Sequence, residues 1–243
     1  MGPAALIFDV FGTIVDWREG IARETASIFT SKKIDYDPHQ FADQWRSKYD
    51  PAMQRIRSGN RGYVSLDILH RENLDELLID TQLSGHFSEA ERVNFNRAWE
   101  KLPPWHDSVD GLTALKRNAI IAPCSNGSIS LMTRLAKYGS LPWDCILGAE
   151  IAQNYKPSPE TYLKSVAALG LEPADVMMVA AHNSDLESAR SCGLKTAFIA
   201  RPTEHGPHQT IDLKPTSDWD FVVNTFDELQ NQLTSSQNSI MKK

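Results

Sequence analysis

The feature that most constrains the fold is a set of short apolar runs, each continuous where a half-exposed strand would alternate, and each ending at a polar or glycine-containing turn. Ala5–Val10, Ala119–Cys124, Val176–Ala180 and Thr196–Ile199 are of this kind, and Trp219–Val223 adds an edge candidate. Strands buried on both faces of a parallel sheet have this composition. Between them, Ser108 to Lys116, Ser128 to Tyr138, Ser158 to Leu169 and Ser184 to Ser191 carry helical spacing, and Gly139, Gly170 and Gly193 follow three of them as stops. Strand alternating with helix predicts an α/β fold, a doubly wound parallel sheet.

One interval breaks the alternation. Roughly a hundred residues separate the first two strands, far more than an ordinary βα connection. Ile21–Thr30, Phe41–Arg57, Leu66–Leu78 and Ser88–Trp99 each show helical periodicity there. The expectation is a core built from 1–16 and 100–235, a helical cap inserted as 17–99, and a flexible polar tail, 236–243. The polar, aperiodic stretch begins at Leu233.

Composition removes several classes of function. Of 243 residues, 41% are apolar and 23% charged, enough to bury a core. Lys and Arg number 25 against 31 Asp and Glu, a net charge of -6 with no basic run, which argues against nucleic acid. No apolar stretch is long enough to span a bilayer. The three cysteines, Cys124, Cys145 and Cys192, form no CxxC pair and support neither a disulfide framework nor a zinc site. A cytoplasmic protein is the resulting expectation.

Ligands of an open parallel sheet bind beyond the carboxyl ends of its strands, and four strand-end segments carry suitable chemistry. Asp9-Val10-Phe11-Gly12-Thr13 places a carboxylate and a hydroxyl around a tight turn. Ser125-Asn126-Gly127 offers polar groups before a helix N-terminus, where anions bind. Lys156 is aimed by Pro157, which restricts the residue before it. Ala181-His182-Asn183-Ser184-Asp185 follows a strongly apolar strand. Each segment alone also fits an ordinary cap, turn or solvated side chain; their order along the chain is the specific signal.

That ordered set resembles the haloacid dehalogenase superfamily: DxxGT at Asp9, Gly12 and Thr13, then Ser125 with Asn126, then Lys156 with Pro157, then Asp185. Phosphatases of the superfamily carry a second Asp where this chain has Phe11. An alkoxide leaves poorly without the proton that Asp would give, whereas a halide needs none, and general acid catalysis is worth about 10²–10⁴-fold. Ala181-His182 also replaces the Gly-Asp pair of Mg²⁺-dependent relatives, which predicts no required metal and no cofactor. The chain is therefore similar to type II 2-haloacid dehalogenases, an agreement extended by Asp16-Trp17-Arg18 and by Tyr155 and Tyr162 around Lys156-Pro157.

The resemblance implies conversion of (S)-2-haloacids to (R)-2-hydroxy acids through an aspartyl ester on Asp9, with Thr13, Lys156, His182 and Asp185 as the other catalytic groups. Phe11, Ser125, Asn126, Tyr162, Asn183, Arg55, Trp45 and Tyr49 are expected to bind the small halogenated carboxylic acid. Arg55 and Arg57 are both candidates for the cap arginine, and the Trp45–Tyr49 stretch does not place it. His182 is expected to titrate near neutrality and to activate the hydrolytic water, oriented by Asp185, Asp16 or Glu19. A homodimer is a further expectation. Two other readings stay open: a Mg²⁺-dependent phosphatase or phosphonatase-like hydrolase, and a catalytically idle binding protein on the same scaffold.

Overall fold

A computed structural model of the chain describes residues 2–241, with side chains to residue 236. Among these residues β1 (Ala5–Phe8) leads into the helices α1 (Trp17–Lys32), α2 (Pro38–Ser47), α3 (Tyr49–Arg57), α4 (Leu66–Asp80) and α5 (Glu89–Asn96). Then follow α6 (Ser108–Leu115), β2 (Ile120–Ser125), α7 (Ile129–Gly139), β3 (Leu147–Gly148), α8 (Ala149–Ala152) and α9 (Pro159–Ala168). The chain continues with β4 (Val176–Ala180), α10 (Asn183–Ser191), β5 (Lys195–Ile199), β6 (Phe221–Val223) and α11 (Phe226–Met241). The sheet order is β3-β2-β1-β4-β5-β6 and every pairing is parallel. This is the doubly wound sheet that the apolar runs predict; β3, only two residues long, leaves no run to read.

The side-chain alternation of a strand divides the core in two. Leu6, Phe8, Met177 and Val179 face one buried cluster, while Ala5, Ile7, Val176, Met178 and Ala180 face another. The first cluster continues without interruption into the interior of the inserted helices through Phe11, Trp45 and Trp99. These helices are locally specified. Asp16 accepts from the backbone N–H of Glu19 at the start of α1, Asp37 precedes Pro38 at α2 and accepts from His39 and Gln40, and Ser88 forms a capping box with Glu91 at α5.

Two expectations on element bounds change. The single pattern Phe41–Arg57 is two helices that meet at Lys48, which is helical in backbone and ends α2; the apolar stripe persists through the break, so periodicity alone does not reveal it. The stretch from Leu233 is helical to Met241 in α11, which docks through Phe226, Leu229 and Leu233. Residues 242 and 243 of the expected tail lie outside the described residues. No helix among the described residues is long and apolar enough to cross a membrane.

Candidate active site

β1 ends at the centre of the sheet, and Asp9 follows it directly, with its backbone N–H bonded to Val179 of β4. The chain then reverses so that Thr13 Oγ donates to Asp9 Oδ2 at 2.8 Å while accepting from the Ala181 N–H at 2.9 Å. Lys156 Nζ lies 2.8 Å from Asp9 Oδ1 and 2.6 Å from Asp185 Oδ2. Asn126 Oδ1 receives the Lys156 backbone N–H, and the Lys156–Pro157 peptide is cis. Asp9, Thr13, Asn126, Lys156 and Asp185 are all buried, so the ends of β1, β2 and β4 and the turn after α8 converge on one cluster at the sheet's carboxyl edge.

Burial by itself raises the Asp9 carboxyl; the Lys156 ammonium, and after it His182, outweigh that effect and hold it well below the usual carboxylate range. Lys156 is pushed up in return, since Asp185 and Asp9 overcome its own desolvation. Asp9 is thus an ionised carboxylate at any ordinary pH. Above it opens a cleft of about 400 Å³ bordered by Phe11, Arg46, Tyr49, Asn126, His182 and Glu204 among others.

Glu204 has no counterpart among the sequence candidates. His182 Nδ1 sits 3.3 Å from Asp9 Oδ2, and its Nε2 lies 2.9 Å from Glu204 Oε2. Glu204 is only 1% exposed and also accepts from Trp17 Nε1 at 3.0 Å. His182 is therefore oriented by Glu204, and the expected partners Asp185, Asp16 and Glu19 do not hold it. Desolvation lowers the imidazole, but Glu204 and then Asp9 raise it well above its ordinary value. In place of the expected near-neutral histidine, the ring lies between two carboxylates, which favour its imidazolium form. The carboxylate stands so close that a Cβ on Gly12 would lie 2.0 Å from Glu204 Oε1.

The remaining expected site residues divide. Phe11 and Tyr49 border the cleft, with Phe11 edge-on to Tyr49, His70 and Trp99. Trp45 does not border it: fully buried in the interior of the cap helices, it donates to the carbonyl of His70. Arg55 is exposed to solvent and is absent from the cleft. Arg57 instead donates to the Lys156 carbonyl and pairs with Asp50. The cap arginine at the cleft is Arg46, whose guanidinium lies 4.0 Å over the Tyr49 ring and whose Nη1 is buried without a partner. Ser125 is buried beneath the cleft, its hydroxyl taken by the Gly127 N–H.

Tyr162 reaches the cleft, yet its hydroxyl donates to Asp185 Oδ1. Asn183 does not border the cleft. Its amide donates to Asp212 and to the Lys214 carbonyl, and its carbonyl accepts from Thr216 N–H and Trp219 Nε1. All four of its hydrogen-bonding positions are spent on pinning the long loop after β5, which carries Glu204. That loop opens with Ala200-Arg201-Pro202-Thr203-Glu204 after the apolar run Thr196–Ile199; the rule that sites gather at strand ends reaches Glu204 once the end of β5 is inspected with the others.

The same donor set speaks against a divalent cation. Asp9 Oδ1 and Asp185 Oδ2 face one ammonium, Asp9 Oδ2 faces Thr13 and His182, and Asp185 Oδ1 faces Tyr162. A hard cation takes about six or more oxygen ligands, whereas an ammonium already bridges these two carboxylates and, among the described residues, no group of three or more His, Cys, Asp or Glu side chains is placed to hold a metal ion.

Known proteins place this arrangement. A family model for haloacid dehalogenase-like hydrolases matches residues 3–193. The structure superposes on a defluorinating L-2-haloacid dehalogenase with a TM-score of 0.94 at 49% identity, covering 96% of this chain and 95% of that one. A second L-2-haloacid dehalogenase matches with a TM-score of 0.93 at 40% identity, over 96% of this chain and all, 100%, of the other. Among curated proteins, the (S)-2-haloacid dehalogenase of Xanthobacter autotrophicus is 25% identical over 202 residues, 81% of this chain and 75% of that protein. With a family model matched over most of its length and two dehalogenase structures at 40–49% identity across nearly all of it, the chain belongs to the haloacid dehalogenase-like hydrolases.

Proposed function

We propose that the protein is a metal-independent 2-haloacid dehalogenase that converts (S)-2-haloacids to (R)-2-hydroxy acids. One observation carries the reading: an ionised Asp9, steadied by Lys156, Thr13 and His182, faces a phenyl ring, Phe11, where an alkoxide leaving group would need an acid. Asp9 attacks C2 in line with the carbon–halogen bond; the C–O bond forms as the halide departs with the bonding pair, leaving an ester. Arg46 supplies the cation of the cleft, placed to meet the substrate's carboxylate or the departing halide.

Ester formation removes the charge of Asp9, one of the two anions that hold His182 protonated. Its Nδ1 proton is then released to solvent, which with the halide accounts for the net HX. The neutral ring, still bonded through Nε2 to Glu204, takes a proton from the water that attacks the Asp9 carbonyl carbon. Collapse of the tetrahedral species breaks its bond to the ester oxygen; the departing alkoxide takes the second proton of that water from the tetrahedral hydroxyl and leaves as the hydroxy acid, while Asp9 returns as a carboxylate carrying the water's oxygen and His182 as an imidazolium. In this reading residues 17–99 act as a cap over a core of 1–16 and 100–235. The protein is cytoplasmic, in keeping with its three free cysteines, and a homodimer, which sedimentation tests.

The deciding experiment measures halide released from L-2-chloropropionate, chloroacetate and fluoroacetate in EDTA, beside phosphate released from an aryl phosphate in Mg²⁺. Halide without phosphate is the expected result. Phosphate release that EDTA abolishes, with no halide, overturns the proposal in favour of a phosphatase.

A further inference from the structure

In the turn that follows Asp9, three successive carbonyls each meet a buried or half-buried side-chain donor. Trp105 Nε1 donates to the Gly12 carbonyl at 2.8 Å, Arg201 Nε to that of Thr13 at 3.0 Å, and Ser108 Oγ to that of Ile14 at 2.7 Å. Only the middle donor is charged. Arg201 is 5% exposed, with Trp105 and Phe226 rings around its guanidinium. Its Nη2 lies 2.9 Å from Asp107 Oδ1, an ion contact angled outside hydrogen-bond geometry. Asp107 is tied in turn to the Phe226 N–H. Burying such a pair is costly, and a hydrophobic replacement often stabilises as well, so stability alone does not account for it.

The position of Arg201 suggests what does. Its backbone carbonyl accepts from the Glu204 N–H at 3.3 Å, so one tight turn directs a cation toward the Thr13 carbonyl and an anion toward His182. Thr13 is the residue whose hydroxyl orients Asp9. We propose that Arg201, braced by Asp107, is a positioning residue that sets the nucleophile and the carboxylate behind His182 relative to one another. The kinetic part of this proposal rests on the dehalogenase reading; the placement of Glu204 does not.

The test compares R201M, R201K and D107N with the unaltered protein. Methionine fills the space between the two rings without a hole and removes both charge and donor; lysine restores one charged contact. Single-turnover halide release from L-2-chloropropionate is expected to slow about 10–100-fold in R201M, the cost of an ångström-scale misplacement, with KM little changed. R201K recovers most of the rate, and D107N falls between. Nitrogen-15 NMR of the His182 ring supplies a readout that needs no turnover. The groups facing that ring are Asp9, Glu204 and His205, with Arg46 on the cap side; its titration midpoint is expected to fall in R201M as Glu204 loses register. No halide from the unaltered protein would sink the dehalogenase reading and leave the NMR arm to decide this proposal. R201M, or D107N if R201M does not fold, with an unchanged halide rate and an unmoved His182 midpoint overturns it.

Discussion

Replacing His182 by alanine separates fold from chemistry, because the ring is the counter-ion of a buried carboxylate and, in the proposed mechanism, the base facing Asp9. Without it Glu204 keeps Trp17 Nε1 at 3.0 Å and a distant His205 Nε2 at 3.6 Å. Breaking a buried pair by deleting one partner costs about 3–5 kcal/mol. At roughly 2–4 °C per kcal/mol for a chain of this size, Tm is expected to drop by about 6–20 °C. H182A/E204Q removes the orphaned charge while the glutamine keeps an acceptor for Trp17, so most of that drop returns. The kinetic defect does not. Both variants are expected to release about one equivalent of halide per site in a burst, then to turn over about 10²–10⁴-fold more slowly, a barrier increase of about 3–5 kcal/mol. Rapid quench gives the burst, mass spectrometry the ester on Asp9, and calorimetry the Tm. Undiminished steady-state turnover in H182A, or its return in the double variant, would falsify the assignment of His182 as base.

Three further outcomes follow from the same geometry. Because Glu204 and Asp9 raise the folded pKa of His182 above 6.5, the stability it contributes is full below that value and lost as pH climbs through the folded pKa; Tm of the unaltered protein should therefore decline on the alkaline side more than that of H182A/E204Q, and kcat should rise with pH as the neutral ring grows, at lower pH in E204Q. R46M is expected to lower kcat/KM by at least about tenfold, the worth of one charge-assisted contact, whereas R55A leaves it unchanged; equal effects in steady-state assays would refute the choice between the two arginines. G12A forces a Cβ to within 2.0 Å of Glu204 Oε1 at a φ of +90°, so the Glu204–His182 pair must shift, and a burst with slow turnover like that of H182A is the result to look for.

The parts of this molecule readable from sequence are those in which one local signal suffices. An unbroken apolar run followed by Asp or Ser-Asn locates a strand end by itself, and Asp9, Asn126 and Asp185 meet as the strand order requires, with Lys156 brought to them from the turn after α8. The two-residue β3 and the break at Lys48 offer no such signal. Asn183 misleads for a related reason: its place before Asp185 suggests substrate, while its four partners lie 29 to 36 positions later in an irregular loop. Arg46 and Arg55 are separable only by the direction each helix gives its side chain. Arg46 stacks on Tyr49, three residues on, and so points into the cleft.

Charge shows most clearly why whole-chain quantities say little about this site. A net charge of -6 looks unfavourable for an anionic substrate, yet at the cleft Lys156, His182 and Arg46 balance Asp9, Asp185 and Glu204, and Asp50 is paired with Arg57, before any substrate enters. An arriving carboxylate makes that local sum negative, and alkylation of Asp9 returns it to neutral as the halide leaves. Release of the His182 proton then makes it negative again, so the ester stage carries the excess anion that a base requires. The loop after β5 is what permits this alternation: by supplying Glu204 it keeps one anion on His182 after Asp9 has been neutralised. In the proposed mechanism, a chain with the same Asp9 and Lys156 but an uncharged residue at position 204 would hold its histidine more weakly and form a poorer base.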